Sequence, residues 1–119
     1  MKGGRNYQNG AAFERQCKAD LESRGYAVVR SAGSHSPADL VALRKDSAAL
    51  GIQCKRNGRL DPAEWNEFTD WCAAAGITPI LAEKVRGGIE YHLITGKKDG
   101  SRKQPMRGWE PPYEKGSRE

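Results

Sequence analysis

Apolar positions recur every four residues at Phe13, Cys17 and Leu21, and Gly25 follows as a left-handed stop, which predicts a helix over residues 11–24. At about 100° per residue, Glu14 falls on the same flank as Cys17 and Leu21. An acid bordering an apolar stripe either has a partner or a task, or marks the edge of the surface. The β-branched run Tyr-Ala-Val-Val-Arg predicts a strand over residues 26–30. A small-residue loop, 31–36, closes on Pro37. Alternation over residues 38–43 predicts a second strand with Asp39, Val41 and Leu43 on one face, and Leu40 and Ala42 on the other. A short charged turn over residues 44–47 suits a hairpin into a third strand, residues 50–55. There Gln53 and Lys55 share one face, Ile52 and Cys54 the other.

Asp61-Pro62-Ala63-Glu64 carries an N-cap, a proline at the first helical position and an acid at the third. Trp65, Phe68, Thr69, Cys72 and Ala75 then form a helical stripe that Gly76 ends, with Trp71 at its border. A fourth strand is predicted over residues 78–82, and Gly87-Gly88 turns the chain into a fifth over residues 89–94. His92 lies on this strand with no second histidine near it in the sequence. Residues 1–9 read as a flexible basic arm, 10–95 as the folded domain and 96–119 as a basic, breaker-rich flexible tail. The order αβββαββ gives an α+β class, with a central mixed five-stranded sheet flanked by helices.

Composition changes this picture little. The 119 residues suit one domain, and a formal charge of +5 with a pI near 9.3 favours a polyanionic partner. A mean hydropathy of -0.79 and the lack of a long apolar run exclude a membrane-spanning reading, and nothing resembles a secretion signal. Cys17, Cys54 and Cys72 are odd in number and lack metal-ligand spacing, which points to buried free thiols in a reducing, cytoplasmic setting.

The residues with chemistry to offer lie between Arg30 and Lys55. If the second and third strands pair, Asp39, Gln53 and Lys55 converge near one strand end. Phosphodiester hydrolysis needs a nucleophilic water and a hard cation to hold charge on the phosphate, which Mg2+ serves through oxygen ligands. Asp39 offers a carboxylate, and the Gln53 side-chain carbonyl or the Cys54 backbone carbonyl adds oxygen. Lys55 would attend the water and the phosphate, and Glu14 would ligate through water. The same spacing also suits the polar face of an edge strand, so the pattern alone leaves both readings open. No nucleotide-binding glycine loop, Ser/His/Asp triad or Cys/His zinc spacing is present.

The segments Gly10-Ala11-Ala12-Phe13-Glu14-Arg15, Gly25-Tyr26-Ala27-Val28-Val29-Arg30-Ser31-Ala32-Gly33-Ser34, Ala38-Asp39-Leu40-Val41-Ala42 and Ile52-Gln53-Cys54-Lys55 together resemble the archaeal-type Holliday junction resolvases of the PD-(D/E)XK nuclease superfamily. The resemblance runs from about Gly10 to Ile94 and implies a restriction-endonuclease-like fold. It implies that Glu14, Asp39 and Lys55 match the family's helix glutamate, metal-binding aspartate and catalytic lysine. Ser34 matches a loop serine near the scissile phosphate, and Arg15 and Arg30 match basic residues linked to junction binding or cleavage. Lys45 and Arg56 join them as expected phosphate contacts. It further implies a homodimer cutting four-way DNA junctions in paired fashion, with Mg2+ or a substituting Mn2+, in the cytoplasm at the nucleoid or in a virus-infected cell. This chain departs from the family at Gln53, where glutamate is usual; a Gln-Cys-Lys-Arg run is similar to that of Mrr-type restriction endonucleases. A nuclease acting on flaps or ends, and a catalytically weak junction-binding module, are the alternatives.

Overall fold

The computed structural model describes residues 2–31 and 36–116, with side chains from residue 10 onward. The elements are α1 (Lys2–Ser23), β1 (Ala27–Arg30), β2 (Leu40–Leu43), β3 (Leu50–Cys54), α2 (Pro62–Ala75), β4 (Thr78–Val85), β5 (Gly88–Ile94) and β6 (Met106–Trp109). The six strands form one sheet in the order β1-β2-β3-β4-β5-β6, so spatial neighbours are also neighbours in sequence. All pairs are antiparallel except β3 with β4, and that parallel pair is bridged by α2.

Two apolar layers flank the sheet. Phe13, Cys17 and Leu21 of α1 pack on Leu40, Ala42, Ile52, Ile80 and Ala82. Trp65, Phe68 and Cys72 of α2 pack on Ala38, Leu81 and Ile94. The alternation along β2 and β4 sorts side chains between these two cores, as the period of a strand requires. The N-terminus of α2 forms as its residues dictate: the Asp61 carboxylate accepts from the Glu64 backbone N–H at 2.8 Å, and Pro62 needs no partner for a missing donor. Gly76, at φ 70°, supplies the left-handed cap at the other end. Among the described residues no helix is long and apolar enough to cross a membrane.

Three expectations are corrected. The first helix begins at Lys2, so the backbone of residues 2–9 continues α1 instead of forming an irregular arm. The sheet has six strands, because residues 106–109 add to β5 with Tyr91 opposite Trp109 and Ile94 opposite Met106. Nor are residues 96–116 a loose tail. The Lys98 ammonium is buried over the Trp65 ring at 4.8 Å and donates to the Leu60 carbonyl and, at 3.1 Å, to Gln104. Tyr113 packs edge-on against Tyr26 and lies 3.6 Å beneath the Arg44 guanidinium. An aromatic and a buried cation with tertiary partners hold this segment down, so Trp109 and Tyr113 serve packing.

Gly51 shows how closely α2 approaches the sheet: a Cβ there would lie 2.9 Å from Cys72 Sγ and 3.1 Å from Ile77 Cδ1. Gly51→Ala is therefore expected to destabilise the protein by about 1–2 kcal/mol through overpacking. Urea unfolding of Gly51→Ala with and without Cys72→Ala checks this, since removing the thiol should return part of the loss.

Candidate active site

Asp39 stands just before β2, where the antiparallel ladder with β3 opens. Its backbone N–H donates to the Ile52 carbonyl at 2.9 Å, and its carbonyl accepts from Ser31 N–H at 3.0 Å. One step further the backbone no longer supplies an acceptor, and Asp39 Oδ2 takes the Cys54 N–H at 2.8 Å. The side chain thus continues the ladder past its end and is fixed in orientation. Burial pushes the Asp39 carboxyl up to about 6, and the acids Glu14 and Glu64 push the same way. The Cys54 hydrogen bond and the Lys55 ammonium oppose them without prevailing.

Glu14 projects from α1 and accepts from Arg30 Nε on β1 at 2.8 Å, both side chains being about one-fifth exposed. Lys55 follows β3 directly; its N–H donates to the Ala82 carbonyl on β4, and its Nζ lies 3.5 Å from Glu64 on α2. Gly10, Glu14, Asp39, Cys54, Lys55, Arg56 and Asn57 line one open cleft of about 510 Å³. The structure therefore brings together Glu14, Asp39, Cys54, Lys55 and Arg56, with Arg30 attached through Glu14.

Other expected residues stand apart. Gln53 is buried on the α2 side of β3, outside the cleft lining, and its amide nitrogen donates to the Pro37 carbonyl. Lys45 is exposed in the turn at the far end of the β2–β3 hairpin from Asp39. Arg15 is exposed on α1 beside Glu14. Ser34 lies outside the described residues. Sequence reasoning used Glu64 only as a helix-start acid and overlooked Asn57; the contact between Glu64 and Lys55 depends on where α2 docks. A second group, Glu83, Glu90 and His92, places three potential ligand atoms within 4.8 Å of one another on β4 and β5. There His92 Nε2 is 3.0 Å from Glu83 and 3.5 Å from Glu90.

The cleft donors suit a hard divalent cation. They are carboxylate and carbonyl oxygens, and the Asp39 carboxylate is repelled by two other acids, a strain that a cation relieves. The Cys54 thiol, bonded to Cys17 by a side-chain hydrogen bond and buried, is pushed up and stays protonated, so it offers no soft ligand.

The chain matches known proteins over most of its length. A family model for the archaeal Holliday junction resolvase (hjc) covers residues 5–102. Crossover junction endodeoxyribonuclease Hjc of Methanocaldococcus jannaschii is 34% identical over 89 residues, which are 71% of this chain and 65% of that protein. The match thus spans slightly under two thirds of that relative. The solved structure of Archaeoglobus fulgidus Hjc, a Holliday junction resolvase from an archaeal hyperthermophile, is similar with a TM-score of 0.60 and 25% identity, covering 75% of this chain and 80% of that one.

The elevated Asp39 carboxyl has a pH signature. Its pKa rises from 3.8 to about 6 on folding, so the folded state binds the proton more tightly and loses stability as pH climbs between those values. An amide in place of this carboxyl would not titrate. Metal-free Asp39→Asn is expected to be more stable than wild type by on the order of 2–3 kcal/mol above pH 6, with the gap closing toward pH 4. Thermal melts in chelator across that range measure it; a gap of constant size would show that Asp39 is not strained in the folded chain.

Proposed function

The chain belongs to the archaeal Holliday junction resolvase family, and from that premise we propose that it is a metal-dependent endonuclease that resolves four-way DNA junctions by paired phosphodiester hydrolysis. The observation that carries this reading is the meeting of Glu14, Asp39, Lys55 and Arg56 on one cleft, reached from α1, β2 and β3. Mg2+ is the proposed cofactor, with Mn2+ able to replace it. When bound, the cation supplies charge neutralisation at the scissile phosphate and acidifies a water.

The chain's own residues divide the remaining work. Asp39, oriented by the Cys54 N–H, would hold the cation through its carboxylate, and the Cys54 carbonyl would add a neutral donor. Glu14, its rotamer fixed by Arg30, would support the cation through water. Lys55 holds the attacking water and offsets phosphate charge at the end of the cleft. Arg15 and Arg56 bind neighbouring phosphates, and Lys45, at the far end of the hairpin, reaches a more distant one. Phosphate contacts position the duplex arms without reading base sequence, so branch geometry selects the substrate.

Paired cutting needs two centres related by a two-fold axis. An exposed apolar pair supports a homodimer: Val29 and Leu43 share one face of β1 and β2 with Ala27, and they are 59% and 46% exposed, while Val41 on the same face packs against the α2 core. A second copy seated there removes that surface from water. The neutral Gln53 favours a second reading, a junction-binding module with weak catalysis.

With Mg2+, wild type is expected to cut a synthetic four-way junction in preference to a linear duplex, and Asp39→Asn and Lys55→Ala to lose at least about 100-fold in single-turnover rate. Undiminished cutting by both variants would sink the site assignment, and tight junction binding with no nicking in either metal would establish the second reading. Val29→Lys with Leu43→Lys should convert a dimer to a monomer in sedimentation and uncouple the two cuts.

A further inference from the structure

Three potential ligands meet on the sheet outside the cleft lining. β4 and β5 pair with Leu81 opposite His92 and Glu83 opposite Glu90. Leu81 belongs to the core beneath α2, so by the period of a strand Glu83, Glu90 and His92 share its face of the sheet. Among the described residues they are the one group of three histidine, cysteine or carboxylate side chains whose donor atoms lie within 4.8 Å of one another. Two glutamates directly opposite each other repel, which weakens a ladder unless something neutralises them. His92 stands between them, its Nε2 3.0 Å from Glu83 and 3.5 Å from Glu90. A ring nitrogen carries at most one hydrogen, and one hydrogen cannot point at both carboxylates.

Glu83 shows a second feature. Its carboxylate lies against the backbone of Gly58, where a Cβ would stand 2.6–2.9 Å from all three carboxylate atoms. Gly58, at φ 71°, donates its N–H to the Lys55 carbonyl and closes the turn that carries Lys55, Arg56 and Asn57 along the cleft. The acid is thus seated in a hollow that only glycine leaves open. It faces an imidazole that is 12% exposed, while Glu90, 58% exposed, borders solvent.

We propose that Glu83, Glu90 and His92 form a second metal site, separate from the cleft, for a dication of the zinc class. One imidazole and two carboxylates are donors that such ions accept, with water free to take the fourth position. Bonds of about 2.0–2.2 Å to a tetrahedral ion place donor atoms roughly 3.3–3.6 Å apart. The two separations from His92 Nε2 already lie near that range. An ion here ties β4 and β5 to the turn behind the cleft, a structural role that does not depend on the nuclease reading.

The competing arrangement is an imidazolium paired with two glutamates and no metal. Zn2+ alone is titrated by calorimetry into the full chain, freed of metal with chelator and without DNA, near neutral pH. Asp39→Asn is the parent protein, which takes the cleft carboxylate out of the count. The expected result is uptake of one equivalent, with affinity lowered about tenfold or more in His92→Gln, Glu83→Gln and Glu90→Gln. That is no less than the loss of an outer-shell partner costs such sites. The rise in melting temperature that Zn2+ gives the parent should shrink in step. Melts in chelator verify the fold of each variant, and the exposed Glu90 position keeps the test intact if a more buried variant fails to fold. Absence of uptake by the parent would overturn the proposal and leave the ion pair. Full affinity in any folded variant would overturn it as well, placing the ion at other groups.

Discussion

One hydrogen bond organises the site: the Cys54 N–H given to the Asp39 carboxylate at 2.8 Å. Between Asp39 and Ile52 the ladder still runs backbone to backbone. Beyond it the strands part, and a donor at the mouth of a fork would be left unpaired in a half-buried place, a cost of about 1–3 kcal/mol. The side chain that satisfies this donor is thereby held at the one spot where the sheet opens to solvent. Orientation of the acid is a by-product of completing the sheet.

Around that bond the molecule arranges charge in mirror fashion. From the α1 side comes Glu14, steadied by Arg30; from the α2 side comes Glu64, against Lys55. Each acid has a basic partner at its own position, and Asp39 between them has only a backbone donor and a more distant ammonium. Its carboxyl is therefore the one driven upward, by burial first and by its neighbours second. That raised carboxyl is tolerated because the two apolar cores on either side of the sheet hold the elements in place.

Legibility from sequence followed the range of the interactions. The second helix was readable to the residue at its start because Asp61, Pro62 and Glu64 act within one turn, and the β2 and β3 faces because alternation is local. Alternation left Asp39 and Lys55 open between a site and a polar edge strand, and only the family resemblance singled them out. The strand Met106–Trp109 was not: Arg107 and Gly108 carry no β signal, and its existence depends on pairing with β5. Lys98 was read as a solvated tail cation, yet its ammonium finds Leu60, Gln104 and the Trp65 ring only after α2 has docked. Gln53 sat on the face predicted for it, but no spacing rule reveals that the Pro37 carbonyl would claim its amide. Glu64 was seen as a helix-start acid, and its nearness to Lys55 is a product of the crossover.

The consecutive strand order bears on how the chain reaches this state. Every pairing except one joins segments linked by a short connection, for which loop closure costs little entropy. The exception is β3 with β4, whose parallel alignment cannot form until the whole of α2 has crossed the sheet. Asp39 and the start of β3 lie in the locally closing half, whereas Lys55, Arg56 and Asn57 begin the crossing. The cleft is thus assembled across the pairing of longest range, the kind that is slow to form because entropy is lost before contacts offset it. A chain folding from its N-terminus would own a hairpin and an aspartate well before it owned the assembled cleft.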